Sequence, residues 1–316
     1  MSEKVRPIQD PEHQEAHDAE AREGGVEEYV DFVEVETTGA VLHVALAGPK
    51  DGEPVLMLHG FPDLWVTWAW QVKPLIDAGY RLIMPDQRGY NLSSRPRQVE
   101  AYGMEVMEQD HLDLLEALGY GDRKVHLVGH DWGGAMSWWL AEHYPDRWET
   151  LTVLNCPPMK VLAKAAQKHL RQIRRSWYIA FFQVPLVPEK LAAAGDFRAL
   201  ESALKKGAAP SAFTAGDLEV LRRAWGRPGA VRGMINWYRA GTKTLRKSGR
   251  SKKITVPTTI LWGEQDFALH ELLVEPSAAR CETVEVKRFP AAGHWVHREA
   301  PEAIAEAMVE AFGARS

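Results

Sequence analysis

The sequence predicts an α/β protein with a mostly parallel central sheet, flanked by helices and interrupted by a helical insertion. Short continuous apolar runs bounded by Gly, Pro and Asp recur along the chain, as is typical of strands buried on both faces. Helical stretches separate these runs, which favours βαβ units in one sheet. The alternation stops at residues 157–253, where the composition becomes helical, basic and aromatic.

The elements follow in order along the chain. Residues 1–28 hold nine acidic and three basic residues without apolar periodicity, which predicts a flexible or loosely docked acidic tail. Alternating apolar and polar residues over 31–48 predict a β-hairpin with its turn near Thr38 and Gly39. Strands are then predicted at 54–60, 80–86, 124–130, 149–155, 256–263 and 284–289, with helices at 104–118 and 135–143.

The predicted core comprises residues 29–156 and 254–316, and we expect residues 157–253, called the insertion below, to form a helical lid. The chain has 316 residues, of which 45% are hydrophobic and 26% charged, as in ordinary globular proteins. No stretch reaches about 18 apolar residues, so no transmembrane segment is predicted. Cys156 and Cys281 form no disulfide or zinc motif, which favours a reducing, cytoplasmic location and predicts no metal site.

The insertion is strongly basic: residues 160–253 contain 21 bases and five acids. Within it, residues 241–253 contain six bases and no acid. Most such runs are solvated surface, but an anionic partner is the alternative: a fatty-acid derivative, a membrane surface or the acidic tail. No nucleic-acid-binding motif accompanies the charge, and a homo-oligomer is compatible with the sequence.

The sequence around Asp131 predicts a nucleophile. A short buried strand at 125–128 leads into Gly129-His130-Asp131-Trp132-Gly133-Gly134, and a helix follows. This is the pattern of a nucleophile elbow, in which small residues permit a sharp turn that exposes the central side chain. An ordinary capping turn is the alternative. An aspartate has an ordinary pKa of about 3.9, so it is ionised at neutral pH and can form an alkyl ester.

Breaking down an ester requires a general base and an acid that orients it. Asp266 lies just beyond a predicted strand, where open α/β sheets build their sites, and His294 lies in the loop after the last strand. The order nucleophile, acid, histidine is that of α/β-hydrolases. Glu264 and His297 remain the alternatives for the two roles.

The first strand-to-helix connection contains His59-Gly60-Phe61-Pro62. A tight turn punctuated by proline is one interpretation. The functional interpretation is that the backbone N–H groups of Phe61 and Trp132 form an oxyanion hole for the ester carbonyl under attack.

Five motifs together resemble the epoxide hydrolases of the α/β-hydrolase superfamily, and the resemblance covers about residues 30–313. They are HGFP at 59–62, DQRGYNLS at 86–93, GHDWGG at 129–134, GEQD at 263–266 and GHW at 293–295. The resemblance implies the α/β-hydrolase fold and conversion of a small hydrophobic epoxide and water to a vicinal diol, without a cofactor. Asn91 stands where many relatives have Gly, a mild change because Asn tolerates left-handed backbone.

Two segments of the insertion, at 177–183 and 236–239, resemble lid segments of epoxide hydrolases. The resemblance implies that Tyr178 and Tyr238 point their hydroxyls at the epoxide oxygen. Two phenols suit this chemistry, because ring opening leaves an alkoxide that needs hydrogen-bond donors and a proton. Haloalkane dehalogenases share the aspartate and use a tryptophan at the position of Trp132 to bind halide, so they are the first alternative. A small-molecule receptor without turnover is the second.

Overall fold

The computed structural model describes residues 3–247 and 252–313, which build helices around a nine-stranded sheet. The spatial strand order is β1-β2-β3-β5-β4-β6-β7-β8-β9. Strands β4 to β9 pair in parallel, whereas β1, β2 and β3 form an antiparallel edge. The strands are β1 (Val5–Pro7), β2 (Val30–Glu36), β3 (Val41–Ala47), β4 (Glu53–Leu58), β5 (Tyr80–Pro85), β6 (Val125–His130), β7 (Trp148–Leu154), β8 (Thr258–Gly263) and β9 (Val284–Phe289).

Helices flank the sheet. Short 3₁₀ helices occur at Trp65–Trp68, Val99–Tyr102, Pro145–Arg147 and Glu271–Leu273. The α-helices are α1 (Pro11–Glu23), α2 (Ala69–Asp77), α3 (Met104–Ala117), α4 (Trp132–His143), α5 (Met159–Lys168), α6 (Leu170–Arg175), α7 (Trp177–Phe181), α8 (Val187–Gly207), α9 (Ala215–Gly226), α10 (Ala230–Lys247), α11 (Val274–Ala278), α12 (Val296–Glu299) and α13 (Pro301–Phe312). Helix α8 is broken at residues 194–197, where the backbone is not helical.

The predicted fold class is confirmed. The central strands are buried along their whole length, which explains their uninterrupted apolar sequences. Strands β2 and β3 form the predicted hairpin, with Val33 opposite Val44 and the turn between Glu36 and Val41. The parallel strands place their carboxyl ends at one edge of the sheet, so loops after β4, β6, β7 and β8 can meet there.

Helices α5 to α10 all lie in the insertion, between β7 and β8. Thr214 and Asp217 form a reciprocal capping box that fixes the start of α9. In the basic segment at 241–253, Lys243 pairs with Glu100 at 2.8 Å, and residues 248–251 lie outside the described part of the chain. No helix within residues 3–247 or 252–313 has the length and apolar character required to cross a bilayer.

The amino-terminal segment differs from the flexible tail predicted for residues 1–28. From residue 3 onward it forms β1, on the edge of the sheet, and α1, which buries His17 and Glu20. The Glu20 carboxylate accepts hydrogen bonds from Trp65 Nε1 at 2.7 Å and Asn91 Nδ2 at 2.9 Å. The buried face of α1 is therefore polar, and apolar periodicity could not reveal it.

Candidate active site

Asp131 lies at the sharp turn between β6 and α4. Its backbone has φ 49° and ψ −118°, a strained conformation of the kind found at active sites. Close packing enforces the turn: a Cβ on Gly60 would lie 2.4 Å from the Asp131 Cβ, and one on Gly133 would lie 2.0 Å from the Leu58 carbonyl oxygen. The glycines of the HGFP and GHDWGG motifs therefore permit the approach of the two loops.

The two carboxylate oxygens of Asp131 have different surroundings. Oδ1 accepts a hydrogen bond from the backbone N–H of Phe61 at 2.8 Å, and the backbone N–H of Trp132 also binds the carboxylate. Oδ2 lies 3.7 Å from His294 Nε2. Burial raises the pKa of Asp131, while the His294 imidazole and the two N–H groups oppose that rise. The two backbone N–H groups predicted for the oxyanion hole thus both bind the Asp131 carboxylate.

Asp266 and His294 form a tight buried pair beside Asp131. His294 Nδ1 and Asp266 Oδ2 are 2.7 Å apart, so the imidazole donates through Nδ1 and its Nε2 faces Asp131. The backbone N–H groups of Ala268 and Leu269 donate to Asp266 Oδ1 at 2.7 and 2.8 Å. These fixed donors hold the Asp266 carboxylate in place.

Asn155 is a part of the site that the sequence did not reveal. It follows β7 directly, and its Nδ2 donates to Asp266 Oδ2 at 2.9 Å, while its Oδ1 accepts the Gly263 N–H at 2.7 Å. Its backbone φ is 39°, in the left-handed region that Asn tolerates. The sequence signal for Asn155 is a polar residue directly after a buried strand. Because β7 lies next to β8, this residue lies beside the loop that carries Asp266.

The alternative residues lie elsewhere. Glu264 contacts Arg288, with 3.3 Å between Oε1 and Nη1, in a partly exposed ion pair. His297 is buried and its Nε2 lies 2.7 Å from Thr67 Oγ1. The structure therefore brings Asp266 and His294 to Asp131, and it does not bring Glu264 or His297 into that contact.

The insertion supports the loop that carries the acid. Helix α6 contributes Gln172, whose Nε2 donates to the Ala268 carbonyl at 2.9 Å, and Arg175, whose Nη1 donates to the Asp266 carbonyl at 2.6 Å. Movement of α6 would therefore be transmitted to the backbone of Asp266.

The charge on His294 depends on both carboxylates. Burial alone would lower its pKa, but the charge and hydrogen bond of Asp266 and the charge of Asp131 outweigh it and raise the pKa to about 9. At neutral pH the imidazole is therefore protonated. Any reaction that neutralises Asp131 lowers the pKa of His294 and favours release of its proton.

We expect Asp131→Asn to lower the pKa of His294, because the amide keeps the side-chain shape but removes one of the two negative charges. NMR titration of the labelled imidazole measures this directly. Asp122→Asn, at an exposed turn, is the control and should leave the titration unchanged. An unaltered His294 titration in Asp131→Asn would contradict the electrostatic coupling.

Tyr178 and Tyr238 share a cavity of about 650 Å³ with Asp131. Their rings meet edge to face with centroids 5.7 Å apart. Burial, and next the negative charge of Asp131, raise the pKa of both phenols, so both are neutral donors at physiological pH. The other walls are largely apolar and include Trp132, Ala135, Met159, Leu162, Ile173, Trp177, Ile179 and Leu269.

The chain is similar in sequence and in structure to known proteins. Residues 53–301 match the α/β hydrolase fold family. An AB hydrolase superfamily protein of Bacillus subtilis, YfhM, is 38% identical over 87% of this chain and 96% of its own length. Epoxide hydrolase 3 of Mus musculus is 34% identical over 87% of this chain and 74% of its own. The crystal structure of Bacillus megaterium epoxide hydrolase with an inhibitor has a TM-score of 0.78 at 27% identity, covering 88% of this chain and 98% of that one.

Proposed function

The chain belongs to the α/β hydrolase fold family, and from its site we propose that it is an epoxide hydrolase that forms a covalent ester on Asp131. The observation that carries this proposal is the pair of phenols, the buried Tyr238 and the partly buried Tyr178, that line the same apolar cavity as the Asp131 carboxylate. The cavity volume of about 650 Å³ suits a small hydrophobic epoxide.

Ring opening begins with attack by Asp131 on a ring carbon. Oδ2 is the attacking atom, because Oδ1 is held by the Phe61 N–H at 2.8 Å. The new C–O bond forms as the ring C–O bond breaks, and the electron pair of the broken bond moves to the ring oxygen. Tyr178 and Tyr238 stabilise this alkoxide, and one of them donates the proton that converts it to a hydroxyl.

Ester formation changes the protonation of His294. The carboxylate of Asp131 loses its charge, which removes one of the two groups that hold the pKa of His294 near 9. The imidazole then gives up its proton, which restores the phenol that was deprotonated. His294 is left neutral, as a general base must be.

Ester hydrolysis uses His294 and the two backbone N–H groups that bind the Asp131 carboxyl group. His294 Nε2 removes a proton from water, and the hydroxide adds to the carbonyl carbon of the ester. The resulting oxyanion is at Oδ1, which already accepts the Phe61 N–H, and the Trp132 N–H binds the same carboxyl group. Collapse breaks the bond between the carbonyl carbon and the diol oxygen, releases the diol and restores both the Asp131 carboxylate and protonated His294.

Haloalkane dehalogenation is the second candidate because it needs the same aspartate and histidine. Trp132 lies in the cavity, but its side chain hydrogen-bonds Tyr238 and packs edge to face on that ring at 4.9 Å between centroids. The indole N–H is thus directed at a phenol oxygen, whose own proton remains available for an alkoxide. This arrangement supports epoxide opening over halide release.

Tyr178→Phe and Tyr238→Phe should each slow ester formation from styrene oxide by about 10²-fold, and the double variant should lose nearly all of it. Each change removes one donor and keeps the ring, so ester hydrolysis and thermal stability should change little. Single-turnover kinetics separate the two steps. Tyr144→Phe is the matched control, since its hydroxyl bonds Glu108 away from the cavity.

The same variants distinguish the two enzymes when 1-bromobutane is supplied. An epoxide hydrolase should form diol from styrene oxide and little bromide from 1-bromobutane. Unchanged alkylation in the double variant, with bromide release by the wild type, would replace this proposal by a dehalogenase. Absence of turnover of either substrate would favour a receptor.

A further inference from the structure

A cluster of potential metal ligands lies between α1 and the β2–β3 hairpin, outside the candidate active site. It consists of His13 on α1, Glu34 on β2 and His43 on β3. Glu34 Oε1 lies 3.7 Å from His13 Nδ1 and 3.2 Å from His43 Nε2, and the three ligand atoms all lie within 4.8 Å of one another. Tetrahedral Zn²⁺ with bonds of about 2.0–2.1 Å places neighbouring ligand atoms about 3.3 Å apart. Small side-chain movements would therefore close the cluster around one ion.

The orientation of His43 is fixed by residues behind it. His43 Nδ1 lies 3.1 Å from His17 Nε2, and His17 Nδ1 lies 3.5 Å from Glu20 Oε2. Glu20 is in turn held by Trp65 Nε1 at 2.7 Å. With its proton on Nδ1, His43 donates to His17 Nε2. His43 Nε2 then keeps its lone pair toward Glu34, as metal-binding histidines require.

One further property suits a cation. Within the described part of the chain, His13 Nδ1 is inaccessible to solvent and has no hydrogen-bond partner, and it lies 3.7 Å from Glu34 Oε1. A metal ion between these two atoms would give His13 Nδ1 the partner that it lacks.

We propose that His13 Nδ1, Glu34 and His43 Nε2 bind one Zn²⁺ ion, with water in the remaining position, and that the ion fastens helix α1 to the β2–β3 hairpin. Two imidazoles and one carboxylate are a donor set that zinc accepts. His13 and Glu34 are partly exposed, with side-chain exposures of 29% and 27%, so an ion can enter from solvent.

Zinc titration of tag-free, chelator-treated full-length protein tests the site, with a chromophoric chelator as competitor. The wild type should bind one Zn²⁺ per chain and unfold at a higher temperature when zinc is added. His13→Ala and Glu34→Gln should weaken binding by about 100-fold or more and abolish the thermal shift. His17→Phe, which keeps the stacking on Phe32, should weaken it by about 10- to 100-fold.

The controls are Glu15→Gln, exposed on the same helix, and His169→Ala, exposed in the insertion. Both should bind zinc as the wild type does. Wild-type protein that binds no zinc at micromolar concentration, or equal binding by wild type, His13→Ala and Glu34→Gln, overturns the proposal. Crystals soaked in ZnCl₂ give a readout that needs no variant: anomalous density should lie among the three ligand atoms, and density confined to other positions overturns it.

Discussion

Asp131→Asn is expected to abolish diol formation, with a loss of about 10⁴-fold or more, because the amide cannot act as the nucleophile. Asparagine has nearly the same size as aspartate and tolerates the positive φ of 49° at this position, so the fold should persist. The measurement is turnover of styrene oxide together with the circular dichroism melting curve.

Asp122→Asn is the matched control, at an exposed turn between α3 and β6, and should keep full activity. Intact mass must accompany the assay, because slow conversion of the new amide back to Asp would restore activity. A freshly prepared Asp131→Asn protein, of verified mass, that retains more than a few per cent of wild-type turnover would exclude Asp131 as the nucleophile.

His294→Gln is expected to separate the two half-reactions. Asp131 keeps its carboxylate and the phenols keep their protons, so the ester should form. Its hydrolysis should slow by about 10³-fold or more, because no other group can activate the water. Rapid-quench kinetics should therefore show one equivalent of epoxide consumed, followed by almost no diol.

His297→Gln is a matched histidine control, because His297 is buried nearby but contacts Thr67. This variant could lose some stability, yet its ester should not accumulate. Accumulation in His297→Gln and normal hydrolysis in His294→Gln would reverse the assignment of the base.

The sequence predicts the sheet and the turn at Asp131 because both depend on short, contiguous stretches of sequence. Buried parallel strands have continuous apolar sequences, and small residues around Asp131 permit a sharp turn directly after the strand. Asp266 and His294 follow the ends of β8 and β9, and the topology of a parallel sheet brings such loops together. Their proximity therefore follows from chain order and strand boundaries.

The remaining features depend on contacts between distant segments. The docking of α1 rests on Glu20 bonding to Trp65 and Asn91, and no periodicity marks such polar contacts. Tyr178 and Tyr238 were indicated through family resemblance, because aromatic residues in helices usually serve packing. Only the packing of α7 and α10 in the structure shows that both rings share the Asp131 cavity.

The proposed zinc site could not be predicted from the sequence either. His13, Glu34 and His43 come from a helix and two strands, at spacings that match no metal-binding motif. The expectation of no metal rested on the two cysteines and on the absence of such motifs. Imidazoles brought together by folding leave no local pattern to detect.

The most direct test of the covalent mechanism is the intact mass of His294→Gln after mixing with styrene oxide. We expect a mass increase equal to one molecule of the epoxide, located by peptide analysis on Asp131 and absent from a His294→Gln protein that also carries Asp131→Asn. Unmodified protein alone, under conditions in which binding of the epoxide is demonstrated, would contradict the ester intermediate.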